Sequence, residues 1–144
     1  MVCAHTVKRA LFVIICLLAS LASTRAGEWS SETAGNISST PVLVGGKCDL
    51  NAVRELINAD PTQIVYLHFY NAASAGDVTV GTTHPLLTLG VAAGPGHLPL
   101  PITGQVIDNF TLGLVIAATT SPLYSGTTAP NTPLVVFLTF TARQ

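Results

Sequence analysis

Residues 63–71, QIVYLHFYN, set Ile64, Tyr66, His68 and Tyr70 on one side of an extended chain and Val65, Leu67 and Phe69 on the other. Successive side chains of a strand point to opposite faces, so a period of two is the signature of a sheet. Both faces here are mostly apolar, which predicts a central strand covered on each side. Residues 134–141, LVVFLTFT, repeat the pattern: Leu134, Val136, Leu138 and Phe140 oppose Val135, Phe137, Thr139 and Thr141. Shorter extended runs fall at 41–47, 85–92, 97–102 and 113–119, with a brief piece at 78–80, and Gly and Pro punctuate them. Strands of this length and spacing predict an all-β fold, a single β-sandwich of jelly-roll or immunoglobulin-like type. A chain of 144 residues has room for one such domain, placed at residues 41–144.

One segment carries the other period. In residues 49–61, DLNAVRELINADP, Leu50, Val53, Leu56 and Ile57 recur at helical spacing. Asp49 stands where an N-cap belongs, Pro61 stands where a helix stops, and Arg54 and Glu55 fall on the polar side. Periodicity alone predicts a helix here.

The first forty residues read differently. Residues 1–26 have the form of a signal peptide with an apolar leader helix: Lys8 and Arg9 precede the apolar run 10–22, ALFVIICLLASLA. Small residues allow cleavage after Ala22 or Ala26, and the run is shorter than the roughly 20 residues that span a bilayer. A retained anchor and a misassigned start are the alternatives. Residues 27–40, GEWSSETAGNISST, are small and polar around a single Trp29 and predict a flexible arm. A functional leader implies a secreted or periplasmic protein, with no stable membrane insertion once the leader is removed.

Without residues 1–26 the chain keeps Lys47, Arg54 and Arg143 against seven carboxylates, a net charge of −4. Nucleic acids and anionic membranes are bound by clusters of Lys and Arg, so neither is an expected partner. Cys3 and Cys16 belong to the leader, which leaves Cys48 without an internal disulfide partner. A buried thiol is the simple expectation for it, and an intermolecular bridge the alternative.

No reactive constellation emerges. His68, His84 and His97 are 16 and 13 residues apart, without the short spacings of a zinc site. There is no G-x-S-x-G elbow, and although Asp77 and His84 share a loop, no Ser stands in a nucleophile context. The Gly-rich run 90–104, GVAAGPGHLPLPITG, alternates Gly with Pro and lacks the helix that follows a phosphate loop. Asn36-Ile37-Ser38 and Asn109-Phe110-Thr111 match the glycosylation sequon, which matters only in a eukaryotic secretory host. No catalytic, cofactor-binding or metal-ligating residue is expected, and the chain is expected not to be an enzyme.

Several phrases carry a resemblance. They are Ile57-Asn58-Ala59-Asp60, then YLHFYNAASA at 66–75, VTVGTTHP at 78–85, Ala92-Ala93-Gly94, GLVIAATT at 113–120 and Thr128-Ala129-Pro130. In this order and spacing they resemble small virion-associated β-sandwich proteins of tailed bacteriophages and prophages, over about residues 37–140. The resemblance implies a strand rather than a helix at 49–58. It also implies a structural virion protein: a head decoration, fibre or tail accessory module located in the virion. Its partners would be other virion proteins or copies of itself, so a homo-oligomer is expected. The alternative is a secreted bacterial surface domain, adhesive or carbohydrate-binding, with Tyr66, Tyr70 or Tyr124 as a sugar platform.

The candidate interface is the loop after residue 70: Asn71, Ala73, Ser74, Gly76, Asp77, Thr79, Gly81, Thr82 and Thr83. Small side chains let another backbone approach closely, and few charges keep desolvation inexpensive. A bulky charge, Ala73→Arg or Gly81→Glu, is expected to weaken association while the monomer still folds.

Overall fold

The computed structural model describes residues 29–94, 96–97 and 107–143. The leader and most of the run at 97–102 lie outside them. Among the described residues nine strands form: β1 (Trp29–Ile37), β2 (Val42–Gly45), β3 (Cys48–Asn58), β4 (Val65–Asn71), β5 (Leu87–Val91), β6 (Gly96–His97), β7 (Asp108–Phe110), β8 (Leu114–Thr119) and β9 (Leu134–Ala142). Among the described residues the only helix is a 3-10 turn, Ala75–Asp77, and no helix is long and apolar enough to cross a membrane.

The strands make two antiparallel sheets. The first runs β1-β9-β3-β6, with β7 also on β3, and the second runs β2-β8-β4-β5. The pairs nest: β1 with β9, β2 with β8, β3 with β6 and β7, and β4 with β5. The chain is thus a long hairpin folded over on itself, with its tip between β4 and β5. One core lies between the sheets. Leu50, Val53, Leu56, Phe110, Leu134, Val136 and Leu138 of the first meet Val65, Leu67, Phe69, Leu114, Ile116 and Ala118 of the second. Burying each large apolar side chain contributes about 1.5–3 kcal/mol. As the alternation in residues 63–71 requires, β4 is central and flanked on both sides.

Residues 49–58 are strand, not helix, and the geometry explains the misleading period. Leu50 opposes Phe140, Val53 opposes Leu138 and Leu56 opposes Val136, with register shifts between Leu50 and Ala52 and between Val53 and Glu55. Each shift is a β-bulge that inserts one residue into β3. Inward positions therefore recur every third residue, at 50, 53 and 56, and imitate one face of a helix.

Residues 29–37 are likewise strand rather than flexible arm. They pair with β9 from Trp29 opposite Thr141 to Ile37 opposite Leu134. The edge of β9 presents backbone N–H and C=O groups that need partners, and a polar segment can supply them as well as an apolar one. A bulge between Ala34 and Ile37 closes this strand, with Asn36 at φ 60° and Ile37 buried in the core. Residues 78–80, expected as a short extended piece, form the approach to a turn, and β7 has no counterpart in the sequence reading.

The loops sort to two ends. At one, Asn58 turns the chain: its amide donates to the Gln63 carbonyl (2.7 Å) and the Ala92 carbonyl (3.0 Å), and its oxygen accepts from the Asp60 N–H. The Asp60 carboxylate accepts from the Thr62 hydroxyl (2.6 Å) and N–H (2.7 Å) and from the Asn131 amide (3.2 Å). These bonds, the Thr62 hydroxyl foremost, hold that carboxyl below the usual range. At the other end, Ala72 N–H donates to the Gly113 carbonyl (3.0 Å) and Arg143 N–H to the Lys47 carbonyl (2.8 Å).

Candidate functional site

The face of the second sheet turned away from the core carries Tyr70, Val115 and Ala117, all buried. A bare sandwich would leave this face in water. Here one loop covers it, and a second loop rooted at the opposite end packs against the first. Residues 72–86 join β4 to β5, and residues 120–133 join β8 to β9. Ala72 and Val78 of the first loop are buried against Tyr70, Val115 and Ala117, and Val80 packs beside them.

The first loop is closed by its own polar groups. The Asp77 carboxylate accepts from the Ser74 N–H (3.0 Å) and the Ser74 hydroxyl (2.9 Å) across the 3-10 turn. Thr79 N–H donates to the Thr83 hydroxyl (3.0 Å), and the N–H groups of Thr82 and Thr83 donate to the Thr79 carbonyl (3.0 and 2.8 Å). Asn71 ties the end of β4 to the connection between β7 and β8: its amide donates to the Thr111 hydroxyl (2.9 Å), and its oxygen accepts from Leu112 N–H (2.8 Å). Hydroxyls bonding local backbone in this way are what Thr and Ser offer a turn.

The nine sequence-derived positions divide accordingly. Ala73, Gly76, Thr79 and Thr82 are exposed. Ser74 and Asp77 are exposed and bonded to each other, while Asn71, Gly81 and Thr83 are half-buried. Gly81 is a correction. Its φ is +91°, and a Cβ there would run into the Thr127 methyl group of the other loop. Gly81→Glu therefore disturbs the fold and is not a clean probe of a surface; Ala73→Arg is.

The second loop is the part of this face that sequence reasoning missed. The His84 and Tyr124 rings join the two loops, with centroids 3.8 Å apart and planes inclined by 31°. Around this join the surface is apolar: Leu123 is 64% exposed, Leu86 52% and Tyr124 44%. The signal was present as Leu86, Leu123 and Tyr124 standing in turn-rich, otherwise small-residue segments.

Under the loops lies His68, 1% exposed. Its Nε2 is 2.9 Å from the Thr119 hydroxyl and its Nδ1 2.9 Å from the Thr88 hydroxyl. The Thr119 hydroxyl proton goes to the Ser121 carbonyl (2.9 Å), so its oxygen accepts from His68 Nε2–H. Neutral Nδ1 then accepts from Thr88. Burial pushes the imidazole below the ordinary histidine range, with the Ser121 carbonyl opposing. The Tyr70 hydroxyl is buried without a partner, and burial raises its pKa. Tyr66 lies across its cross-strand partner Gly90, where a Cβ would stand 3.1 Å from the ring. Of the three tyrosines considered for a sugar platform, then, only Tyr124 is exposed.

Among the described residues no group of three or more His, Cys, Asp or Glu is placed to hold a metal ion. Cys48 is buried, and desolvation, reinforced by Asp49, pushes its thiol up to about 11. The thiolate is the nucleophile, so iodoacetamide at pH 8 is expected to leave Cys48 largely unmodified in the folded protein and to label it on denaturation, as mass spectrometry would read. Labelling at the same rate in both states would place the thiol at the surface.

Compared with family models, curated proteins and solved structures, the chain matches none.

Proposed function

We propose that this chain is a non-enzymatic structural virion module, of the capsid decoration, fibre or tail accessory class, and that it docks on other virion proteins or on copies of itself through the loop-covered face of its second sheet. The observation that carries this reading is how that face is built. The loop of residues 72–86 closes over an apolar sheet face and satisfies its own polar groups, the second loop packs against it through Tyr124, and Leu86, Leu123 and Tyr124 are exposed on the two loops. Such a surface is preorganised for contact with another protein, because little ordering entropy remains to be lost on binding.

Within this reading the sandwich is a jelly roll. The nesting of β1 with β9, β2 with β8, β3 with β6 and β7, and β4 with β5 supports it. Jelly rolls occur in viral capsids and equally in lectins and cupins, so the architecture leaves the function to the surface. The resemblance of residues 37–140 to phage virion proteins supports the viral choice. Its phrase at 57–60 forms the Asn58–Asp60 turn, and its phrases at 66–85 and 113–120 build the covered face.

Exposed Tyr124 is the observation that favours the alternative, a secreted adhesive or carbohydrate-binding domain. Density-gradient purification of particles from the source lysate, followed by quantitative mass spectrometry, separates the two. A fixed number of copies per particle is expected. Recovery only from the soluble fraction would overturn the virion reading.

A further inference from the structure

We propose that β1 is an exchangeable strand: residues 29–34 leave their own β9 and pair with β9 of a second copy, which returns its own β1, so that two chains join without opening either core. The inference is independent of docking through the loop-covered face, since β1 lies in the other sheet. β1 is an edge strand whose one ladder neighbour is β9, and it precedes every other described strand. It can therefore swing out without drawing another of them with it.

The chain fixes where the strand pivots. After β1 it is pinned: Ile37 is buried in the core, the Ser38 carbonyl accepts from Ala118 N–H (2.8 Å), and Thr40 N–H donates to the Ser38 hydroxyl (3.3 Å). Before the pivot the ladder is regular, from Trp29 opposite Thr141 to Ala34 opposite Val136. Gly35 and Asn36 lie between, exposed and within the bulge. At Gly35 even a Cβ would find nothing within 4 Å, so its backbone has room to rotate. Asn36, at φ 60°, is the one non-glycine residue with positive φ among the described residues. Asparagine tolerates this conformation better than most residues, but an extended backbone still costs it less.

Exchange replaces like with like. The second copy carries the same β1, so the same ladder forms on the same β9 in the same register, and the bonds broken equal the bonds made. What differs between the two states is the hinge and the entropy of joining two chains. A short hinge under strain favours exchange, because opening it returns Asn36 to an extended backbone. The three peptide steps from Ala34 to Ile37 span at most about 10 Å, so the two copies meet where β1 and β9 pair Ile37 with Leu134.

Mixing tests this in the full chain with Cys3 and Cys16 replaced by serine; Cys48 is buried, and its raised pKa keeps it out of the reaction. One copy carries Ser31→Cys, and an isotope-labelled copy carries Thr139→Cys, at positions that are partners across β1 and β9. Partners in an antiparallel pair stand about 4.5–5.5 Å apart at Cα, within disulfide range. Each thiol meets the other across the ladder only when β1 has passed to the other chain. Glutathione disulfide is the oxidant: the two thiols lose two electrons and two protons to it, and it leaves as two glutathione thiols. Mass spectrometry is expected to find a 31–139 disulfide between labelled and unlabelled chains. Its yield should rise with protein concentration and exceed that of Ser31→Cys mixed with Arg54→Cys, an exposed position on β3. By light scattering, Asn36→Val, with a side chain that avoids positive φ, should raise the dimerisation constant at least about tenfold, and Asn36→Gly should lower it. If Asn36→Val does not fold, Asn36→Gly against wild type carries the comparison. Ala73→Arg in both chains should leave the cross-link as it is. No cross-link above the control, no fall in dimerisation in Asn36→Gly, or loss of the cross-link in Ala73→Arg would each overturn the exchange.

Discussion

Replacing Gly113 with alanine is expected to lower the stability of the domain by about 3 kcal/mol, more than its single added methyl group suggests. A Cβ at Gly113 would lie 2.5 Å from the Ala72 carbonyl oxygen and 3.2 Å from the Gly45 carbonyl oxygen. Both are backbone atoms, so no flexible side chain can yield. Three pieces of chain meet at this point: the end of β2, the exit from β4 and the start of β8. Gly113 also accepts the Ala72 N–H that turns the first loop onto the sheet. Fitting the methyl group means parting β2 and β4 from β8. Urea unfolding should show the midpoint falling with the slope unchanged, the sign of lost stability rather than a different denatured state. A midpoint equal to wild type would mean that these strands are not in close approach.

Gly81→Glu is expected to cost about 2 kcal/mol through a different route. The φ of +91° is one that residues with a Cβ rarely adopt, and the Cβ would displace Thr127. Both loops would lose their seat, and the face bearing Tyr70, Val78, Val115 and Ala117 would become reachable. The variant should therefore bind a hydrophobic dye such as ANS as well as unfold at lower denaturant. Gly76→Ala is the control: a Cβ there meets only the Ser74 hydroxyl, at 3.7 Å, and stability should stay within about 0.5 kcal/mol of wild type. Wild-type stability and no dye binding in Gly81→Glu would show that the loops do not pack on each other.

How much of this was legible in the sequence depended on whether a strand's own side chains reported its environment. In β9 they did, because strict alternation survives into alternating burial, and in β4 two largely apolar faces match burial on both sides. In β3 the bulges shifted the inward positions to a spacing of three, and that information lies in the register with β9 rather than in β3 itself. In β1 the ladder to β9 holds a polar segment whose composition resembles a free arm. The covered face was half legible. Two apolar faces on residues 63–71 stated that both sides of β4 are covered, but the second cover is made of loops, and small residues at 71–85 read as open surface. Val78 and Ala72 were the exceptions within that run. The partners of His68, Thr88 and Thr119, come from other strands, and no local pattern connects them.

The most direct measurement of docking through this face compares wild type with Ala73→Arg, by light scattering of the isolated protein and by co-sedimentation with purified particles. Ala73 is exposed at the head of the first loop, so the variant should unfold at the wild-type temperature. An arginine there would place a bulky, hydrated charge where another backbone is to approach, and self-association or particle attachment should weaken at least about tenfold. A folded Ala73→Arg protein that assembles and attaches as wild type does would contradict docking through the loop-covered face.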